Sequence, residues 1–256
     1  MDFFLDQDAW LAALVFAFLM LLGWGLGSKI RSRRAASGGS TRIEDGSLAL
    51  FGLLLAFCFS GATGRYEARK DLLRNDAISI GEFVTVSSML EEPDRKAIHD
   101  EVVRYVDLQR EFGVLRLDDT RMPQVIKGGQ ESIARIQALI HLVIENKNTP
   151  SIQTPLLNAF NGMTAAHDKR LYGVQDRVNG GIVMMLVLFG VFTTFTMGRL
   201  HERTDGGEPF RIGAYVALVS LVFWVTVDME QPRRGMILVS QAPMQALQES
   251  LHPTAP

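Results

Sequence analysis

One cysteine, Cys58, is all the thiol chemistry that 256 residues contain. No intrachain disulfide can form, and the redox compartment leaves no mark on the sequence. The five histidines stand apart, at 99, 141, 167, 201 and 252. None makes the i, i+4 pair or carboxylate cluster that a metal on one helix face requires, so no metal and no cofactor is expected. Also lacking are a phosphate-cradling glycine loop, a nucleophile elbow and a helical His-Glu-x-x-His; "GWGLG" at 23–27 lies inside an apolar run, not between a strand and a helix. No catalytic residue can be nominated, and an enzyme is not expected. A formal net charge of −2 with no long polybasic tract argues against a nucleic-acid partner. Strand-like alternation is scarce from Arg65 to Arg177.

What the sequence does have is segregation. Overall 47% of residues are hydrophobic and 21% charged, an almost soluble average, but four mostly apolar runs at 9–28, 46–64, 178–198 and 212–227 exclude nearly all the charge. About 20 apolar residues in a helix match the roughly 30 Å hydrocarbon core of a bilayer. The fourth run is short and crosses if Arg211 snorkels at one end and Asp228 marks the other interface. Four buried helices of a large soluble protein are the alternative, and such helices rarely exclude charge for so long. The first run follows Asp2, Asp6 and Asp8 and lacks a small-x-small cleavage site, so it reads as a retained span, not a signal peptide. The expected fold is an all-α membrane protein with four transmembrane helices and a four-helix extramembrane domain inserted between spans two and three. Its segments are spans at 9–28, 46–64, 178–198 and 212–228, a basic connection at 29–45, the helical domain at 65–177, a short connection at 199–211 and an amphipathic tail at 229–256.

Lys29, Arg31, Arg33, Arg34 and Arg42 follow the first span, and Arg199, Arg203 and Arg211 follow the third. By the positive-inside rule both connections face the cytoplasm of an inner-membrane protein, which leaves the N-terminus and the central domain outside. The opposite side also carries cations: Arg65, Arg69, Lys70 and Arg74 after span two, Lys169, Arg170 and Arg177 before span three, Arg233 and Arg234 after span four.

Within the central segment, Ile98, Val102, Tyr105 and Phe112 recur at helical spacing, as do Leu156, Phe160 and Met163, continued by His167, Leu171, Val174 and Val178. Pro93, the Gly128–Gly129 pair and "NKNTPSIQTP" read as breaks, with Thr154 as cap and Pro155 in a first turn. Four helices are expected over 67–91, 94–115, 129–147 and 154–178, the first and last continuous with spans two and three. His167 lies on an apolar stripe and reads as a hydrogen-bonded bundle histidine, with a proton carrier or ligand as the alternative.

Small residues near the ends of three spans, Gly23 with Gly27, Ser60 with Gly64, and Gly180 with Gly181, favour close helix packing, either within one chain or between chains. Ala49, Leu53 and Phe57 form an i, i+4, i+8 stripe in the second span, which reads as facing lipid, core or a pore. After span four, "DMEQPRRGMIL" sets Asp228 and Glu230 beside a proline turn, with Arg233 and Arg234 expected to meet lipid phosphate or those acids. Residues 240–251 read as an amphipathic helix through Met244, Leu247 and Leu251, lying on the membrane or on the bundle. "HPTAP" reads as disordered.

The stretches "SLALFGLLLAFCFSGATGRYEARKDLL", "ISIGEFVTVSSMLEEPDRKAIHDEVVRYVDLQREF" and "DMEQPRRGMILVS" resemble the bestrophin-like family of bacterial membrane proteins, over about residues 45–250. More distantly, the span leading into "GRYEAR" is similar to the second transmembrane helix of bestrophins, so Arg65, Glu67 and Arg69 are the family-motif charges at the span-two exit. That resemblance implies a homo-oligomeric, specifically pentameric, anion channel in which Ala49, Leu53 and Phe57 line an apolar neck. This chain has Ser60 and Gly61 where bestrophins carry an arginine-asparagine pair, and one residue fewer within the motif. Bestrophins keep both termini and the inserted domain in the cytosol, opposite to the charge bias. Membrane lipid, further copies of the chain and a small anion are the implied partners. Arginines outside a neck would concentrate anions, whereas here Arg65, Arg69, Lys70 and Arg74 alternate with Glu67, Asp71 and Asp76 as in a solvated helix with intrahelical pairs. The competing reading is a non-conducting sensor or scaffold whose helical domain binds a ligand or partner, with continuous helices at 47–91 and 154–198 to transmit a shift.

Overall fold

In the computed structural model, residues 8–30, 40–116, 118–145, 150–173, 178–200 and 208–252 are described. Among them the chain forms eight helices and no strand: α1 (Ala9–Lys29), α2 (Ser40–Ser87), α3 (Asp94–Val114), α4 (Met122–Glu145), α5 (Pro150–Gly173), α6 (Gly180–Leu200), α7 (Glu208–Glu230) and α8 (Ala242–Leu251). The four apolar runs fall in α1, α2, α6 and α7, each long and apolar enough to cross a bilayer. The cations Arg31, Arg33, Arg34, Arg177 and Arg203, together with Val174, His201 and the last four residues, lie outside the described residues.

The chain divides into two compact units, one comprising 1–66 and 177–238, the other 67–176 and 239–256. In the first, α1 packs on α6 and α7, with Phe16 stacked obliquely on Phe223 at 4.5 Å between ring centroids and Met20, Phe51, Leu186 and Val216 around them. Lipid tails are as apolar as these side chains, so contact area alone does not hold such helices together; close backbone approach does. A Cβ on Gly23 would stand 2.8 Å from the Val191 carbonyl oxygen, and Cβ atoms on Gly27 and Gly198 would run into the carbonyls of Phe195 and Trp24. Gly23 and Gly27 thus serve packing within one chain. Gly64 differs, since a Cβ there meets nothing.

The second unit is a helical bundle. Ile80, Phe83, Ile98, Val102, Tyr105, Ile136, Ile140, Leu156 and Met163 are fully or almost fully buried in one core, and Phe112, Leu115, Met122 and Val125 make a satellite cluster. The amphipathic helix after span four packs here, on α3, burying Met244 and Leu251.

Three expected helix boundaries are overturned. The helix expected from 129 begins at Met122 and runs through Gly128 and Gly129, because these glycines admit a neighbour: Cβ atoms on them would stand 3.3 Å from Leu108 Cδ1 and 3.4 Å from Gln109 Nε2 of α3. The helix expected from 154 already includes Pro150, whose preset φ suits a first turn, so Pro155 lies inside the helix and not in its first turn. Nor is a helix continuous from 154 to 198. It is described as far as Gly173, and Val178 and Asn179 are not helical. Asn179 caps α6, its side-chain oxygen accepting the Gly181 N–H at 2.9 Å, an N-terminal role that suits asparagine.

Candidate functional site

The second span is the least covered of the four. Of its most apolar window 11% is buried, against 33–44% in the other three. Phe51, Leu55 and Ala62 form its covered side. With 3.6 residues per turn, Ala49, Leu53 and Phe57 fall on the other side, and all three are exposed, Leu53 by 53% and Phe57 by 67%. Ser60 and Gly64 continue that open face. The stripe is uncharged, and none of the described residues covers it.

Arg65 points to the covered side. Its Nε donates to Glu230 Oε1 at 2.7 Å, and Nη2 bonds the same oxygen. The other carboxylate oxygen of Glu230 accepts the Val178 N–H at 3.1 Å. Glu230 is almost entirely buried, so one carboxylate ties the exit of span two, the approach to α6 and the end of α7. A cavity of ≈ 20 Å³, lined in part by Cys58, Arg65, Ile182, Phe223 and Glu230, adjoins this joint and has room for about one water.

Asp228, two residues earlier, organises the turn that follows. Its carboxylate accepts the N–H groups of Met236 at 3.0 Å and Ile237 at 2.7 Å. Gly235 has φ +87, and a Cβ there would overlap the Asp228 carboxylate, so glycine is needed both for its dihedral and for its bareness. Arg233 adopts φ 70 in the same turn, and Arg233 and Arg234 are half-buried. "DMEQPRRGMIL" is therefore a tight reversal wrapped around Asp228, and Glu230 joins α2 to Val178 ahead of α6.

In the second unit Glu67 is exposed and pairs with Lys70 at 2.9 Å, and Asp71 pairs with Arg74 at 3.1 Å. Exposed i, i+3 pairs of this kind contribute about 0.2–0.5 kcal/mol. Arg69, by contrast, is buried. Arg65 thus departs from the expected run of intrahelical pairs, since its partner stands 165 residues away.

The residues that sequence reasoning missed lie deeper. Arg170 and Asp76, 5% and 0% exposed, form a buried ion pair at 2.8 Å. Arg170 also donates to Gln109 Oε1 and to the Gln109 carbonyl, both at 3.4 Å, and to Gln241 Oε1 at 3.2 Å, and it lies 5.5 Å from the Phe112 ring centroid. One guanidinium gathers α2, α3, α5 and the segment before α8. Tyr105 stands edge-on to His167 beside it. Burial raises the Tyr105 hydroxyl well above the usual tyrosine value and lowers the His167 imidazole. Asp76, beyond the apolar part of α2, is raised by burial against the opposing pull of Arg170. Among the described residues no three of His, Cys, Asp and Glu are grouped to hold a metal ion.

The family model described as "Bestrophin-like domain" matches residues 48–244. Two crystal structures of a bacterial bestrophin homologue from Klebsiella pneumoniae share the fold. One, carrying a tryptophan-to-alanine mutation, superposes with a TM-score of 0.67 at 13% identity over 96% of each chain; the other, with a leucine-to-threonine mutation, gives the same TM-score and identity over 93% of this chain and 96% of that one. No curated protein matches the sequence. With the family match spanning both the second span and the turn around Asp228, and with four membrane-length helices, the chain is a membrane protein that belongs to the bestrophin-like family.

Proposed function

We propose that copies of this chain assemble around the second span into a homo-oligomeric anion channel, with Ala49, Leu53 and Phe57 as rings of an apolar neck. The observation that carries this reading is the uncovered stripe. Span two leaves an uncharged face exposed, opposite the side that Phe51, Leu55 and Arg65 commit to the protomer. Stacked apolar rings gate by dewetting. Because Arg65 is neutralised by Glu230, conduction in this reading depends on neck width and wetting more than on an arginine ring. Five copies is the number that the bestrophin resemblance supports.

Purified protein reconstituted in liposomes with a chloride gradient tests the proposal. Phe57→Ala widens and wets the neck and is expected to raise flux severalfold. Phe57→Cys in a Cys58→Ala background is expected to crosslink between protomers under mild oxidation. An assembled oligomer that conducts in neither the native nor the Phe57→Ala form would refute channel function and favour the sensor or scaffold reading. Lys127, whose side chain is 78% exposed, is the reporter for sidedness: labelling of Lys127→Cys only from the cytoplasmic face would support the bestrophin orientation, and labelling only from outside would support the charge bias.

A further inference from the structure

Three polar atoms sealed inside the helical unit have no hydrogen-bond partner among the described residues: Asp76 Oδ1 of α2, Tyr105 Oη of α3 and His167 Nδ1 of α5. Asp76 and Tyr105 are fully buried and His167 is 6% exposed. Their side chains are neighbours. The Tyr105 and His167 rings meet edge-on with centroids 5.9 Å apart, and the Asp76 charge acts on both. Arg170 holds Asp76 Oδ2 at 2.8 Å, which leaves Oδ1 uncommitted. Orphaned buried polar atoms are costly and rare, and a group of them is ordinarily satisfied by an internal water with two to four partners.

We propose that one water molecule binds where α2, α3 and α5 meet, donating to Asp76 Oδ1 and to His167 Nδ1 and accepting from Tyr105 Oη. Donor and acceptor counting selects this arrangement. A carboxylate only accepts, the hydroxyl of Tyr105 has a proton to give, and a neutral imidazole accepts at the nitrogen that carries no proton. If the imidazole proton sat on Nδ1, the water's second hydrogen would have to go to Tyr105 Oη, and the tyrosine's own proton would be left without an acceptor. His167 is therefore neutral, with its proton on Nε2.

The surroundings favour that state. The charged groups acting on His167 are Asp76 from α2 and Asp168 and Arg170 from α5; Tyr105 and Gln109 of α3 and Gln241 before α8 are neutral. Asp76 and Arg170 offset each other and Asp168 is exposed to solvent, so burial is what opposes a proton on His167, and that proton would turn Nδ1 into a donor facing a donating water. Such a site holds its water at neutral pH and gives it up on acidification.

The test is ¹⁵N spectroscopy of histidine-labelled full-length chain in lipid nanodiscs, with His167→Gln identifying which of the five histidine signals belongs to His167. The expected result is the neutral Nε2–H tautomer, half-protonated below the ordinary 6.5, with a magnetisation-transfer contact to a slowly exchanging water. Tyr105→Phe removes the donor to that water and is expected to abolish the contact and mix the tautomers. An Nδ1–H tautomer, ordinary titration, or a high-resolution structure with no water within hydrogen-bonding distance of all three atoms overturns the proposal. Should Tyr105→Phe fail to fold, the tautomer and the water contact of the native chain decide it.

Discussion

Replacing Arg170 by methionine removes the guanidinium while keeping most of the side chain's length and apolar bulk. Asp76, fully buried, then keeps its charge with no cation, and Gln109 and Gln241 lose a donor. Breaking a buried ion pair by deleting one partner costs about 3–5 kcal/mol. The bonds to Gln109 and Gln241, at 3.2–3.4 Å, are too long to add much. Against the roughly 5–15 kcal/mol by which domains are stable, that is a large fraction, and it lowers the melting temperature by on the order of 10–20 °C. The assay is thermal and denaturant unfolding of full-length protein in detergent, with hydrogen exchange of α3 and α5 to localise the loss. Asp76→Asn in the same background removes the stranded charge and should restore about half the loss, a coupling that a double-mutant cycle isolates. The pH dependence has a definite sign. Burial already holds Asp76 above its ordinary 3.8, and Arg170 opposes it. Without Arg170 the folded value rises further, so the variant has its full stability below 3.8 and loses it as pH climbs through the raised folded value. The variant should therefore be more stable at mildly acidic pH than at neutrality. An Arg170→Met protein within about 1 kcal/mol of the native one, or a double variant no better than the single, would refute this account.

Other substitutions probe the remaining joints. Gly27→Ala pushes a methyl into the Phe195 carbonyl, whereas Gly25→Ala, on the same helix, meets nothing; the first should cost about 1–3 kcal/mol in detergent unfolding and the second nothing. Glu230→Ala strands Arg65 and the Val178 N–H, for a loss of about 1–3 kcal/mol, and Glu230→Gln, which keeps a carbonyl acceptor, should lose less. Gly235→Ala combines a strained φ with a clash against Asp228 and should loosen the turn after α7, read as faster proteolysis between 231 and 238. His167 is held below its ordinary 6.5 by burial. Below that pH the unfolded chain takes up the proton first, so stability falls as pH drops from 6.5 toward the folded value, and His167→Gln should flatten that slope.

Chain-local properties were legible in the amino-acid order. Four long uncharged runs specify membrane-length helices because the bilayer imposes a length and an apolar composition. Stripes such as Ile98, Val102 and Tyr105 specify buried faces because helical period is a property of neighbours in sequence. The "GRYEAR" exit and the "DMEQPRRGMIL" turn marked the family. Other features depended on which helices came to lie side by side. Gly128 and Gly129 read as a break on propensity, and only the approach of Leu108 and Gln109 shows them as contact points inside a helix. Arg65 resembled one charge of a solvated run until Glu230 appeared beside it, and Arg170 looked like one more cation before a span, although Asp76 neutralises it from 94 residues away. Length, period and charge count are sums along the chain. The partner of a buried charge is set by the register between distant helices, which tertiary packing alone decides.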